Sequence, residues 1–276
     1  MAHTETIIVA GCMRSGTTAL QSLVCSTDAT NPLIPECDFL IELTMLFKRN
    51  KEDFEQRRLR PYFGSEKQLQ QYIGNMIEQF LDITRENFHP ATKLALKNPE
   101  LTPFLPLLHR LLPKARFVVS IRDPRDTIAS IVDVADRLAA RGQNLYVVGN
   151  GRDIQAAANY FNAIYAPILQ ANDTPGSFRD ALIMVRYEDL CSPRQSVVDA
   201  VAAHCGLNLA QYDPDREWRR AMEIDRTAWG TPLWGKGVSG DSVGRYDRVL
   251  TPEEIAVIEI TCAPFMRRFG YTTASR

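Results

Sequence analysis

The stretch Gly11-Cys-Met-Arg-Ser-Gly16-Thr17-Thr18 restricts the fold of this chain more than any other. It follows an apolar run, Thr6 to Ala10, and precedes a second with helical spacing, Ala19 to Val24. A buried strand, a glycine-containing loop and a helix in that order make an anion site, because backbone N–H groups wrap the anion and the helix N-terminus adds partial positive charge. The glycine spacing matches G-x-x-x-x-G-K-[ST], except that Thr17 stands where the lysine would be. The positive charge lies inside the loop instead, at Arg14, whose guanidinium can hold an anion through two parallel hydrogen bonds.

Three further runs read as buried parallel strands: Lys93 to Leu96, Arg116 to Ile121 and Ala181 to Val185. Each leads into a loop and then helical sequence, which predicts an α/β fold with a central parallel sheet, crossover helices and the phosphate loop after the first strand. A chain of 276 residues, 45% hydrophobic, supports a single domain of this kind over its whole length. Between the first two strands, residues from about 47 to 90 are rich in Glu, Gln, Lys and Arg. They place Leu69, Ile73, Ile77, Phe80 and Leu81 at helical spacing, so this region reads as a helical insertion. Further helices are predicted from Ile154 to Leu169 and from Pro252 to Phe269. The latter opens with the capping sequence Thr251, Pro252 and Glu254 and is kinked or ended by Pro264. The segment Asp225 to Asp247, with glycines, Pro232, Trp229 and Trp234 but no periodicity, reads as an irregular loop over a functional surface.

With 32 Lys plus Arg against 33 Asp plus Glu, the net charge of -1 gives no electrostatic case for nucleic acid as a partner. Any anion must be captured locally. The opening residues lack the pattern of a secretory signal and no run of 18 apolar residues occurs, so a cytoplasmic protein without a transmembrane segment is expected. The six cysteines are widely spaced and form no C-x-x-C pair, so neither a disulfide framework nor a metal site is expected.

The loop, together with three later blocks, resembles the sulfotransferases that use 3'-phosphoadenosine 5'-phosphosulfate (PAPS), in the branch with Arg-Ser-Gly-Thr-Thr that includes the tyrosylprotein enzymes. The second block is Arg116-Phe-Val-Val-Ser-Ile-Arg122-Asp-Pro-Arg-Asp-Thr-Ile-Ala-Ser130, the third Val185-Arg-Tyr187-Glu-Asp-Leu190, and the fourth Ser239-Gly-Asp-Ser242-Val-Gly-Arg245-Tyr246. The resemblance implies that Arg14, Ser15, Gly16, Thr17 and Thr18 hold the 5'-phosphosulfate. It also implies that Arg122 and Ser130 clamp the 3'-phosphate and that Tyr187 lies beside the nucleotide. Ser242 and Arg245 belong to a C-terminal loop over the donor, with Ser239 competing with Ser242 for one role.

The same resemblance implies transfer of a sulfuryl group to a hydroxyl or amine acceptor with release of PAP. Lys97, in Leu-Ala-Leu-Lys97-Asn-Pro, matches the family lysine at the transferred group. Many cytosolic members carry a histidine base two residues beyond that lysine, where this chain has Pro99; His3, His89, His109 and His204 fit no such position. The implied base is a glutamate, Glu36, one position beyond the family's spacing, with Glu42 as the alternative. Arg14 joins Glu36 and Lys97 as a catalytic candidate. No metal is implied. The acceptor, whether small molecule, glycan, lipid or peptide, would meet the helical insertion and the segment Arg137 to Arg152. Two other functions fit the loop: an ATP-dependent phosphotransferase, which would want the missing lysine, and a nucleotide-binding protein without catalysis.

Overall fold

The computed structural model describes residues 5–148, 151–192, 195–210, 212 and 238–273. Among these, four strands form one wholly parallel sheet in the order β2-β1-β3-β4. They are β1 (Glu5–Gly11), β2 (Lys93–Lys97), β3 (Arg116–Ile121) and β4 (Leu182–Arg186), within a residue or two of the runs read from the sequence. The register pairs Val9 with Lys97, Gly11 with Ser120 and Ile121 with Arg186, so the C-terminal ends of all four strands open on one edge. The chain leaves β1 toward β2 on one side and returns to β3 on the other. The gap beyond β1 and β3 is therefore the switch point at which such sheets bind ligands.

The strands are apolar on both faces because both faces are covered. Ile8, Ala10, Leu94, Leu96, Phe117 and Val119 enter one core, while Ile7, Val9, Ala95, Val118 and Val185 enter the other. Successive strand residues alternate between them. The smaller core is closed by α1 (Thr17–Val24) and α10 (Gln195–Cys205).

The larger core is packed by most of the remaining helices. These include α2 (Asp38–Glu52), α4 (Glu66–Glu86), α5 (Leu105–Leu111), α6 (Pro124–Ala139) and α7 (Ile154–Asp173), with the short α3 (Arg60–Phe63) and α8 (Ser177–Asp180) between them, while the short α9 (Tyr187–Cys191) places Leu190 in the smaller core. Each fully buried Leu, Ile or Phe there contributes about 1.5–3 kcal/mol of transfer free energy.

Helix begins earlier than the charged composition of the insertion indicated. α2 starts at Asp38 because Leu40, Leu43, Thr44 and Phe47 already form a buried stripe. Helical structure is then interrupted before α3 and α4, the latter capped by the Ser65 side chain, which accepts from the Gln68 N–H. The C-terminal helix is two: α11 (Pro252–Thr261), with the Thr251–Glu254 capping box formed, and α12 (Ala263–Phe269), whose first turn contains Pro264. The segment read as an irregular loop falls outside the described residues up to 237. Its remainder holds two 3₁₀ turns, Gly240–Ser242 and Arg245–Arg248.

No helix among the described residues is long and apolar enough to cross a membrane. None of the six cysteines is in a disulfide, and four of them are buried.

Candidate active site

The phosphate loop is held open by its backbone. Gly16 has φ 96° and caps α1 with no side-chain hydrogen bond, leaving the first-turn N–H groups facing the crevice. Arg14 also takes a positive φ, 67°, a conformation uncommon outside glycine. The surroundings hold it there. Ser15 Oγ donates to the Ser120 carbonyl at 3.4 Å, and Ser120 Oγ donates to the Ser15 carbonyl at 2.7 Å. Thr102 Oγ1 accepts from the Gly11 N–H at 2.7 Å, and the buried Tyr165 hydroxyl accepts from the Cys12 N–H at 3.0 Å while donating to Ser120 O at 2.7 Å.

Ser120, Thr102 and Tyr165 were not singled out from the sequence. Tyr165 lies on the apolar stripe of α7 with Phe161 and Ile168 and reads as core. Thr102 follows Asn98-Pro99, a helix-start signal, and Asn98 does accept from the Glu100 N–H at 2.9 Å.

Around this loop the structure brings most of the implied donor residues together. Arg14 Nε donates to Ser130 Oγ at 3.1 Å, joining the loop to α6. Arg122, 6% exposed at the end of β3, donates to the carbonyls of Arg14 and Ser242. Its guanidinium lies 4.5 Å from the centre of the Tyr187 ring, a cation–π contact. The Tyr187 hydroxyl bonds Ser242 Oγ at 2.8 Å. Its ring also covers Gly16 so closely that a Cβ there would stand 2.1 Å from Tyr187 Cδ2. Of the two competing serines, Ser242 meets Tyr187 and Arg122, whereas Ser239 Oγ turns to Asp241 at 2.9 Å. Arg245 instead pairs with Asp133 of α6 at 2.8 Å. Trp229 and Trp234 lie outside the described residues.

The Arg-Asp-Pro-Arg-Asp block is a hub. Asp123 caps α6 and forks with Arg125, while Arg125 reaches Glu259 at 2.7 Å. Asp126 accepts from the Gly244 and Tyr246 N–H groups at 2.8 and 3.0 Å, fastening the C-terminal loop to α6. Electrostatically the crevice gathers positive charge. Burial, with the positive charges of Arg137 and Arg122, lowers the pKa of Arg14 to about 10. Nε of Arg122 is buried with no hydrogen-bond partner among the described residues.

The implied catalytic pair is in contact. Lys97 Nζ, on a side chain only 9% exposed, lies 2.9 Å from Glu36 Oε1 and donates to Thr18 Oγ1 at 3.3 Å. The Cys37 N–H donates to the Lys97 carbonyl at 2.9 Å, tying the Glu36 segment to the end of β2. Glu42 lies exposed on α2, beyond Glu36. Among the described residues no group of His, Cys, Asp or Glu is arranged to hold a metal ion.

A parallel sheet with an arginine-bearing glycine loop at its switch point and a buried arginine at the end of β3 defines an α/β protein of the open-sheet class, whose ligands bind at that edge. Comparison narrows this class. The model of the sulfotransferase family matches residues 6–211, and the chain belongs to that family. A candidate protein-tyrosine sulfotransferase of Caenorhabditis briggsae is 23% identical over 225 residues, covering 75% of this chain and 70% of that protein. Among solved structures, the sulfotransferase domain from the curacin biosynthetic pathway superposes with a TM-score of 0.64 at 15% identity, covering 99% of each chain. A mouse sulfotransferase complexed with PAP superposes with a TM-score of 0.54 at 12% identity, covering 96% of this chain and 84% of that one. At these identities the two structures bear on the fold alone.

Proposed function

We propose that this sulfotransferase takes PAPS as donor and transfers its sulfuryl group in line to a hydroxyl or amine acceptor, releasing PAP. The observation that carries the reading is the buried Arg122 guanidinium, with its unpartnered Nε, across the switch point from an arginine-bearing phosphate loop. Such an arrangement is costly unless an anion completes it. A donor with two separated phosphate groups fits two such positions, and the mouse relative is described as complexed with PAP.

In this reading the loop N–H groups, the start of α1 and Arg14 hold the phosphosulfate. Arg122 and Ser130 hold the 3'-phosphate, and the Tyr187 ring lines the nucleotide. Ser242 and Arg245 belong to the loop that covers the donor. Glu36 takes the acceptor proton as the new S–O or S–N bond forms, and Lys97 places positive charge at the sulfuryl oxygens and at the bridging oxygen. That oxygen keeps the electron pair of the breaking S–O bond and leaves with PAP. Preorganised charge of this kind is worth roughly 10²- to 10³-fold in rate per donor.

The test is calorimetric titration with PAP in the absence of magnesium, with ATP titrated in parallel and Arg122→Ala as control, followed by transfer of labelled sulfate from PAPS to a panel of alcohols and amines. Micromolar or tighter PAP binding that is lost in the variant, with no ATP binding and label in an acceptor, is the expected result. Absence of PAP binding overturns the donor assignment. Tight PAP binding with no transfer to any acceptor would favour a binding protein without catalysis.

A further inference from the structure

Beyond Lys97 the chain turns through Asn98 and Pro99 into a 3₁₀ turn, Pro99–Phe104, whose second residue is Glu100. Oε1 of Glu100 accepts two phenolic hydrogen bonds: from Tyr160 of α7 at 2.8 Å, and at 2.9 Å from Tyr146, which lies in the segment between α6 and α7. The two rings stand edge to face, 6.0 Å apart and 86° between planes. Tyr160 and Glu100 are partly buried, whereas Tyr146 is 66% exposed.

The cluster is joined to the residues of the candidate site through two elements of the chain. Glu100 is three residues from Lys97 along the strand exit, and Tyr165, further along α7 from Tyr160, holds the Cys12 N–H of the phosphate loop.

The chemistry of this corner is one-sided. Burial, together with the charge of Glu100, raises the pKa of Tyr146 to about 12 and that of Tyr160 further still. Both phenols therefore stay protonated and donate to Glu100 Oε1 at ordinary pH. No lysine or arginine among the described residues pairs with Glu100, unlike Glu36, which Lys97 neutralises. A partly buried carboxylate framed by two tyrosines, one with its ring exposed, is the surface that binds an ammonium group. The ion receives Coulombic attraction from the oxygen and the quadrupole of the ring face.

We infer that Glu100, Tyr146 and Tyr160 form the acceptor's recognition corner and that the acceptor carries a cationic amine a few bonds from the group that receives the sulfuryl. Resting on the reading given under Proposed function, this assigns the acceptor class. The cation docks at Glu100 on the β2 side of the crevice, while the anionic donor occupies the arginine side.

The test uses two probes that differ by the ammonium alone in hydrogen-bonding character, tyramine and 4-ethylphenol, titrated into the full chain saturated with PAP. Tyramine is expected to bind roughly tenfold tighter or more. Glu100→Gln, nearly isosteric at a partly buried site and still able to accept from both tyrosines through its amide oxygen, is expected to erase the preference with PAP affinity and melting temperature unchanged. Tyr146→Ala should reduce it and Tyr146→Phe, which keeps the ring, should retain most of it. Equal binding of the two probes, or a preference that survives Glu100→Gln, overturns the inference. Failure to bind PAP at the first step would overturn instead the reading beneath it, so the two failures are separable.

Discussion

Lys97 Nζ and Glu36 Oε1 stand 2.9 Å apart at the C-terminal end of β2, and the same ammonium donates to Thr18 Oγ1 of the phosphate loop at 3.3 Å. One cation therefore touches both the loop that would hold the donor and the carboxylate that would accept the acceptor's proton. Lys97→Ala is expected to lower kcat roughly 10²- to 10³-fold while PAP affinity stays within a few fold, as steady-state transfer assays and calorimetry would read. Unchanged turnover would remove Lys97 from the reaction.

Glu36→Gln separates the carboxylate from its alternative. The amide keeps a hydrogen bond to Lys97 but cannot accept the acceptor's proton, so kcat should fall with little change in PAP binding. Glu42→Gln, on the exposed face of α2, should leave both unchanged. The reverse pattern would move the base to Glu42.

Gly16→Ala would push a Cβ to within 2.1 Å of the Tyr187 ring at a residue with φ 96°. A loss of roughly 1–3 kcal/mol in stability, read by denaturant unfolding, and loss of PAP binding are expected together. Gly142→Ala, with φ 72° and no atom within 4 Å of the added carbon, isolates the backbone cost and should spare binding.

Asp126 holds the Gly244 and Tyr246 N–H groups, so Asp126→Ala should free the loop that carries Ser242. PAP affinity is expected to fall roughly tenfold or more, with faster proteolysis near residue 244. Unaltered affinity would mean that the loop contributes nothing to donor binding.

Two histidines bear on stability rather than chemistry. Burial, with the charge of Arg116, lowers the pKa of His109, whose Nε2 meets Ser177 Oγ at 2.9 Å. Burial also lowers that of His204. Because the unfolded chain holds these protons more tightly, stability is fully present above the unfolded value near 6.5 and is lost as pH falls below it. The melting temperature should drop between pH 7.5 and 5.5, and His109→Gln should flatten part of that slope.

The sheet and its loop were legible in the sequence because a buried parallel strand must be continuously apolar, and few other patterns place glycines and an arginine between a strand and a helix. Arg122, Tyr187 and Ser242 were legible through resemblance, and the structure joins them by a cation–π contact and a hydrogen bond. Thr102, Tyr165 and Asp126 were not. Their partners are backbone groups distant in the chain, and a side chain chosen to satisfy one remote N–H leaves no periodic trace. Arg245 shows the opposite limit: its position in a motif indicated a ligand, yet its guanidinium rests on Asp133.

The reciprocal clasp of Ser15 and Ser120 has a consequence for how the chain matures. Gly11 and Ser120 are register partners of β1 and β3, so the loop takes its shape only when those two strands pair correctly. A slip of one residue would invert the faces of β3 and present Val119 or Ile121 to the loop in place of the hydroxyl. An anion held by the loop would then stabilise only correctly registered molecules, by mass action. Strand pairing and ligand capture become one cooperative event, and a ligand in the medium should raise the yield of native protein recovered at a given concentration of denaturant.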